Sequence, residues 1–224
     1  MRVPLTDWSA VRAVVFDVDG TLYAQRPLRM VMLRAMLSHY LLRPHRIMEL
    51  YWLYHFRRHR EALAERPHEG LERLQYSAVA ARFRVEEHRV RSVVERWIYR
   101  APLRHLAACR YRGVEGFLAR LRDMGITVAF LSDYPAAEKL AAMGMRSENA
   151  YSATDPSIDR LKPSPRGLQV IMADLGLRPG QCLMIGDRPE RDGACAAAAG
   201  VPYRILGKGE ADFYLRLAGE LDGL

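Results

Sequence analysis

A short apolar run that ends in two carboxylates, within residues 13–21, limits the folds open to this chain. The run Ala-Val-Val-Phe is followed by Asp17 and Asp19, which stand two positions apart, and then by Gly20 and Thr21. Alternate side chains of an extended backbone point in the same direction, so both carboxylates can face one site. Gly20 permits a sharp turn after them. Paired acids at a strand end are typical of the catalytic edge of an α/β protein, although a solvated turn can contain the same residues.

Three later segments favour the catalytic interpretation. Residues 126–131 form a second apolar run, which ends in the hydroxyl of Ser132. Lys162 lies in Leu-Lys-Pro-Ser-Pro, and a third apolar run ends in Asp187, with Asp192 close behind it. Taken singly, Lys162 is an ordinary surface lysine and Asp192 an acid that favours the start of a helix. The ordered set of acid pair, hydroxyl, lysine and acid pair is much more specific than any member.

This ordered set resembles the four motifs of the haloacid dehalogenase (HAD) superfamily of phosphotransferases and phosphatases. The matching residues are Asp17-Val18-Asp19-Gly20-Thr21, Ser132, Lys162, and Gly186-Asp187 with Asp192. The resemblance implies an α/β fold, with a doubly wound, Rossmann-like parallel sheet as the catalytic core. We assign residues 1–21 and 113–224 to that core. Residues 22–112 lie where the family inserts a helical cap between the first and second motifs.

The paired acids predict a nucleophile and its partner. A carboxylate with an ordinary pKa of about 4 is ionised at neutral pH and attacks phosphorus without a separate base, which suits Asp17. Asp19 is placed to protonate the leaving alcohol and then to take a proton from water. In the superfamily an aspartate at this second position is typical of phosphatases and mutases. We therefore expect hydrolysis of a small phosphate monoester through an aspartyl-phosphate, with a phosphomutase as the alternative.

The crowding of carboxylates predicts a metal ion. At about 4 Å and an effective dielectric near 20, each like-charged pair costs on the order of 4 kcal/mol, so Asp17, Asp19 and Asp187 need a cation. Oxygen-only ligands suit Mg²⁺, and no His or Cys stands in the motifs. We expect Mg²⁺ as cofactor, with Gly186 and Asp192 in supporting positions.

A second group of residues is expected to bind the phosphate. This group consists of Thr21, Ser132, Asp133 and Lys162. Many relatives have Asn directly after the hydroxyl of the second motif, whereas this chain has Asp133. A carboxylate that faced the phosphate would oppose binding, so we expect Asp133 to turn away or to pair with a cation.

The remaining core segments alternate as a parallel sheet requires. We predict helices over 114–124, 135–143, 164–175, 190–199 and from about 210, and strands over 126–131, 149–152, 181–186 and 202–206. In the insertion, apolar residues recur at helical spacing over 27–42, 45–64, 69–82 and 86–108, which predicts four or five helices.

The insertion is strongly basic. Residues 22–112 hold 19 Arg, no Lys and 8 Glu, a net charge of +11 in a chain of net charge +8. This charge could attract an anionic substrate, or it could make the insertion a binder of nucleic acid or anionic surfaces. Arg outnumbers Lys 31 to 3 throughout the chain, however, which favours solvated arginines. We expect a small phosphorylated substrate and no nucleic acid.

Residues 30–42 and 47–60 are apolar around most of their circumference, which favours burial. Core packing is the first interpretation, a homodimer contact the second and binding to a membrane surface the third. Neither run has the 18 or so uncharged residues that would cross a bilayer, so no transmembrane segment is expected. The N-terminal residues lack a secretory signal, and Cys109, Cys182 and Cys195 form no C-x-x-C pair. A cytoplasmic location is therefore expected.

Overall fold

A computed structural model of the chain describes residues 7–66, 68–146, 148–207 and 209–222. Five parallel strands form one sheet in the order β3-β2-β1-β4-β5. The strands are β1 (Ala13–Phe16), β2 (Thr127–Ser132), β3 (Ala150–Ser152), β4 (Cys182–Gly186) and β5 (Tyr203–Ile205). The strand order reverses at β1, so the carboxyl ends of β1, β2 and β4 meet at the switch point where α/β proteins bind ligands.

Two sets of helices accompany the strands. Those of residues 22–112, called the helical segment below, are α1 (Gln25–Leu41), α2 (Met48–Leu63), α3 (Leu71–Phe83), α4 (Glu87–Val94), a π-helical turn (Glu95–Arg100) and α5 (Leu103–Cys109). Those that alternate with the strands are α6 (Val114–Asp123), α7 (Ala137–Ala142), α8 (Arg166–Leu175), α9 (Ala194–Ala198) and α10 (Phe213–Leu221). Short 3₁₀ turns cover Pro44–Arg46 and Pro179–Gln181, and a second π-helical turn covers Pro189–Gly193.

These elements confirm the predicted α/β fold class. Every strand and helix expected after residue 113 is present, with its ends displaced by at most three residues. The helix expected over 190–199 consists instead of a π-helical turn followed by α9. The runs in the insertion form helices, as their spacing indicates. The division into a catalytic core and a cap at residues 22 and 112 stays a prediction.

Alternation along the strands divides the apolar core between the two faces of the sheet. Val14 and Phe16 of β1 face one buried cluster, and Ala13 and Val15 face another. The first cluster continues without a break into the helical segment, where it includes Trp97. The helical segment is therefore fastened to the sheet by shared hydrophobic packing.

The prediction that the apolar runs of the helical segment are packed in the core is confirmed for one face only. Trp52 and Phe56 of α2 are buried. Leu33, Leu37 and Leu41, spaced four residues apart along one side of α1, are 50%, 55% and 79% exposed. No helix in the described part of the chain combines the length and the apolar character needed to cross a membrane.

Candidate active site

The first acid pair lies where β1 meets its neighbours. The backbone N–H of Asp17 donates to the carbonyl of Ile185 on β4 at 2.8 Å, which fixes the carboxylate at the edge of the sheet. The chain then turns at Gly20, whose φ of +102° is a conformation that other residues rarely adopt. A Cβ atom at Gly20 would also overlap the carboxylate of Asp187. Glycine at this position therefore lets the fourth motif, which carries Asp187, approach the first.

Lys162 joins two of the acids. Its ammonium lies 2.5 Å from Asp17 Oδ1 and 2.6 Å from Asp192 Oδ1, and it also donates to the carbonyl of Leu131 at 3.3 Å. Burial by itself would lower the pKa of Lys162, but the charges of Asp17 and Asp192 more than offset this and raise that pKa. Lys162 therefore stays positively charged although it is buried.

Asp17 accepts a hydrogen bond from Thr21 and lies close to Lys162 and to other carboxylates, which affect its pKa. The hydroxyl of Thr21 donates to its Oδ2 at 2.8 Å. Burial raises the pKa of Asp17 well above its ordinary value; Lys162 opposes this effect, whereas Asp192 and the other nearby acids add to it. The expectation that Asp17 is ionised without assistance is therefore too simple. One lysine is not enough to neutralise this group, and an additional cation would favour the ionised nucleophile.

The acids that face one another differ partly from the predicted set. One carboxylate oxygen each from Asp17, Asp187 and Asp192 lies within 4.8 Å of the others. Oδ1 of Asp187 is buried and has no hydrogen-bond partner in the described part of the chain. Burial, and next the charge of Asp192, raise the pKa of Asp187 to about 6. An oxygen-only cluster with an unpartnered buried oxygen fits a divalent cation such as Mg²⁺.

Asp192 also holds the loop that carries Asp187. Its Oδ2 accepts hydrogen bonds from the backbone N–H groups of Asp187 at 3.1 Å and Arg188 at 3.0 Å. A Cβ atom at Gly186 would overlap the Asp192 side chain, so glycine is needed for this approach. Gly186 and Asp192 thus fix the loop that carries Asp187, and their supporting role at a metal site stays a prediction.

Asp19 points away from that cluster. Its two carboxylate oxygens lie 2.5 and 2.6 Å from the ammonium of Lys139, and it accepts hydrogen bonds from the Tyr23 hydroxyl and, at 3.2 Å, from Ser132 Oγ. Burial raises the pKa of Asp19, but Lys139, together with the hydrogen bond from Tyr23, outweighs burial and leaves that pKa lowered. The predicted acid–base role of Asp19 is compatible with this position. A metal contact through its side chain stays a prediction.

Asp133 is hydrogen-bonded to the loop that carries Lys162 and also lines the cavity described below. Its Oδ1 accepts the backbone N–H of Lys162 at 3.0 Å, and its carbonyl oxygen accepts a hydrogen bond from Arg60 of α2. The Asp133 carboxylate therefore holds the loop that carries Lys162. Its assignment to phosphate binding stays a prediction.

Comparison with known proteins now identifies the family. A model described as haloacid dehalogenase-like hydrolase matches residues 11–200. The chain belongs to this family. The resemblance seen in the four motifs and the expected hydrolase class are thereby confirmed.

Two curated relatives of this HAD-like hydrolase carry phosphatase names. The phosphoglycolate phosphatase of Rhodospirillum rubrum is 30% identical over 112 residues, which are 49% of this chain and 46% of the relative. The phosphoserine phosphatase of Thermus thermophilus is 30% identical over 94 residues, which are 41% of this chain and 38% of the relative. The matches thus span less than half the length of either relative.

Solved structures of HAD proteins share the fold at low sequence identity. A 2-haloacid dehalogenase from Pseudomonas syringae superposes with a TM-score of 0.60 at 19% identity, covering 86% of this chain and 85% of that one. A HAD phosphatase from Thermococcus onnurineus has a TM-score of 0.53 at 16% identity, with 89% and 88% covered. A beta-phosphoglucomutase from Clostridium difficile has a TM-score of 0.55 at 14% identity, with 95% and 98% covered. These similarities support the fold and no particular reaction.

Sequence reasoning missed Lys139. This residue lies on α7, seven positions after Ser132, in a segment that has no motif character of its own. The rarity of lysine in this chain was a usable signal, because the sequence has only 3 Lys beside 31 Arg. Two of these lysines, Lys139 and Lys162, contact the acids of the site. A lysine ammonium is a compact charge on a flexible stem, and in Lys162 it lies between the carboxylates of Asp17 and Asp192.

Contacts between the helical segment and the strand ends were also missed. Arg60 is 3% exposed, and besides the carbonyl of Asp133 it contacts Gln75 and lies 4.4 Å from the centre of the Tyr134 ring. It therefore departs from the solvated state expected for most arginines of this segment. Glu61, also on α2, pairs with Arg191 and, at 3.5 Å, with Arg188.

A cavity of about 510 Å³ lies over the acids. Its floor includes Asp17, Asp19, Lys162 and Asp187, and its opposite side is formed by α1, α2, the first π-helical turn and α5. A second depression of about 670 Å³ lies on the helical segment, with Trp52 and His88 in its lining and none of the four floor residues. The smaller cavity is therefore the one that can bring a ligand to the acids.

Proposed function

We propose that this chain is a Mg²⁺-dependent phosphatase that hydrolyses a phosphate monoester through an aspartyl-phosphate. The observation that carries the proposal is the convergence of Asp17 and Lys162 with Asp187 and Asp192 on the floor of the cavity. The names of the two curated relatives support a phosphatase.

In the first step an oxygen of Asp17 attacks phosphorus and the bond to the ester oxygen breaks. Asp19 gives its proton to that oxygen, so that the alcohol leaves neutral. Lys139 favours ionised Asp19 in the free protein. A phosphate dianion bound beside Asp19 opposes that effect, because a like charge raises the pKa of a carboxylate.

In the second step Asp19, now ionised, takes a proton from a water molecule whose oxygen attacks the phosphorus of the aspartyl-phosphate. The bond to Asp17 breaks, which releases inorganic phosphate and restores the carboxylate. Lys162 and the Ser132 hydroxyl are proposed to hold the phosphoryl oxygens in both steps. Asp17 and Asp187, with Asp192 behind them, would hold Mg²⁺, which neutralises the phosphoryl charge and polarises the oxygens when bound.

The experiment is phosphate release from a broad panel of monoesters with Mg²⁺ present. Native protein is compared with Asp17→Asn and with Asp123→Asn, a matched change at an exposed acid that ends α6. We expect Asp123→Asn to behave as native and Asp17→Asn to release no phosphate. Activity that survives an excess of chelator would reject the Mg²⁺ requirement, and equal release by both variants would reject Asp17.

A phosphomutase uses the same residues in the first step, and the beta-phosphoglucomutase has the same fold. In a mutase the phosphoryl group returns to a different hydroxyl of the substrate. The same panel therefore distinguishes the two reactions. Free phosphate in proportion to substrate loss supports the phosphatase, and a phosphorylated isomer without free phosphate supports the mutase.

We also propose a homodimer through the exposed stripe of α1. Leu33, Leu37 and Leu41 form a continuous apolar side that is not covered in the monomer. Burying such a stripe against a second copy would stabilise the association. Light scattering of the native protein should give the dimer mass, and Leu37→Gln should shift it to the monomer. A native protein that stays monomeric at high concentration would refute the dimer.

A further inference from the structure

The helical segment supplies more apolar than polar side chains to the lining of the cavity. Nine apolar side chains line it, and we call them the apolar wall: Leu28, Met32, Met36, Leu50, Leu53, Trp97, Ile98, Pro102 and Leu106. Leu28, Leu53 and Trp97 are less than a tenth exposed, so they are held in place by the core of the helical segment. A ligand whose phosphate lies at the acids would extend its remaining atoms towards this wall.

Polar side chains of the helical segment that also line the cavity are largely engaged with one another or with the floor. The Gln25 amide donates to the carbonyl of Asp19 at 2.6 Å and accepts from Arg29. The Tyr23 hydroxyl donates to the Asp19 carboxylate. Glu61 pairs with the two arginines that follow β4. These groups are therefore committed to contacts within the protein and are poorly placed to recognise a second polar group of a ligand.

This distribution of polar groups opposes a highly polar leaving group. A carboxylate or ammonium beside the apolar wall would lose hydration and would gain few hydrogen bonds in return. Arg57 also lines the cavity, but it is exposed to solvent. A hydrocarbon group loses no hydrogen bonds at the same place and gains by leaving water.

We propose that the substrate is the phosphate monoester of an apolar alcohol, with its alkyl or aryl part against the apolar wall. This inference rests on the proposed function and adds the class of leaving group to it. It separates this chain from the polar esters named in its two curated relatives, phosphoglycolate and phosphoserine. Residues of α1 and α2 become the determinants of specificity, while the floor performs the chemistry.

The first test is a homologous series of ethyl, butyl, hexyl and octyl phosphate, kept below micelle-forming concentrations, beside phosphoglycolate and phosphoserine. Each methylene buried against the wall should raise kcat/KM about three- to fourfold until the cavity is filled. Butyl phosphate should already exceed both polar esters. A flat or falling series, or a preference for phosphoglycolate or phosphoserine, overturns the inference and leaves the proposed function intact. Failure to hydrolyse any ester overturns the proposed function and the inference with it.

The second test compares neighbouring residues of one helix. Met36 lines the cavity and is half-buried, whereas Leu37 follows it on the exposed side of α1. Met36→Gln should lower the ratio of octyl to ethyl phosphate kcat/KM about tenfold, because it replaces an apolar contact of the longer chain with a polar one. Leu37→Gln should leave the ratio as in native protein.

A matched pair on α2 repeats the comparison in case Met36→Gln fails to fold. Leu50 lines the cavity, and Met48 is exposed outside it. Leu50→Gln is expected to reduce the chain-length preference, and Met48→Gln is not. If the cavity variants keep the native ratio, or if the exposed variants lower it equally, the apolar wall does not select the substrate.

Discussion

The two sides of the cavity are built in different ways. The floor takes its groups from strand ends and the loops that follow them, where a few residues of backbone determine each position. The apolar wall takes its side chains from α1, α2, the first π-helical turn and α5, which are brought together by packing. The floor contains buried ion pairs, and the apolar wall presents hydrocarbon side chains to the cavity. Under the proposed function, the chemistry and the choice of substrate are therefore carried by separate parts of the chain.

The largest effect on the floor is expected from removing Lys162. Lys162→Met leaves Asp17 and Asp192 buried without their shared cation, which should cost about 3–5 kcal/mol of unfolding free energy. It also removes a donor to the phosphoryl group, so kcat/KM should fall about a thousandfold. Denaturant unfolding and phosphate release measure the two effects. Arg73→Met, at an exposed position on α3, serves as control, and equal stability of the two variants would contradict the account.

A smaller loss is expected at the metal cluster. Asp187→Asn should weaken Mg²⁺ binding about a hundredfold, since it removes the acid whose buried oxygen has no other partner in the described residues. In native protein the affinity should decline as the pH falls through about 6, because the raised pKa of Asp187 lets protons compete with the cation there. Titration calorimetry at several pH values tests both points. Glu190→Gln, a change at a neighbouring acid outside the cluster, should bind Mg²⁺ as native does.

Substitution of Lys139 tests whether a charged neighbour on the floor sets the pKa of Asp19. Lys139→Met removes the cation that lowers the pKa of Asp19, and burial then raises that pKa. A carboxyl with a higher pKa stays protonated to higher pH, so the alkaline limb of kcat/KM should move to higher pH. The rate at neutral pH should change on the order of tenfold. Lys139→Arg, which keeps the charge, should restore the native limb; an unmoved limb in Lys139→Met would show that Asp19 is not the titrating acid.

The smallest effect is expected where the two sides touch through exposed ions. Glu61→Gln breaks the pairs with Arg188 and Arg191, but Glu61 is largely exposed. Its loss should cost no more than about 1 kcal/mol, and less in high salt. Thermal unfolding beside Glu65→Gln measures the difference. A much larger loss would mean that these pairs, and not the shared apolar core, fasten the helical segment to the strands.

The floor could be predicted from the sequence because its information is local. Asp17 and Asp187 directly follow apolar strands and Ser132 ends one, and parallel strands bring their carboxyl ends to one edge of the sheet. The same locality explains why the order of strands and helices in this part agreed with expectation. The closeness of Asp192 to Asp17 and Asp187 was not foreseen, because spacing in the sequence does not show which acids approach one another. A metal contact of Asp19 stays a prediction.

The wall and its contacts could not be predicted to the same degree. Helical spacing indicates which residues share a face, but it does not indicate which face meets the cavity. Leu37 and Trp52 therefore looked alike, although one is exposed and the other buried. Arg60 and Lys139 gain their roles from partners far away in the chain, and such pairings depend on the packed structure rather than on local pattern.

The central claim is that Asp17 carries the phosphoryl group between the two steps. Hydroxylamine added during turnover converts an acyl phosphate to a stable hydroxamate, and mass spectrometry of the digested protein locates it. The account predicts a hydroxamate on Asp17 in native protein and none in Asp17→Asn. Turnover at the native rate with no hydroxamate on Asp17, or with one on another residue, would contradict it.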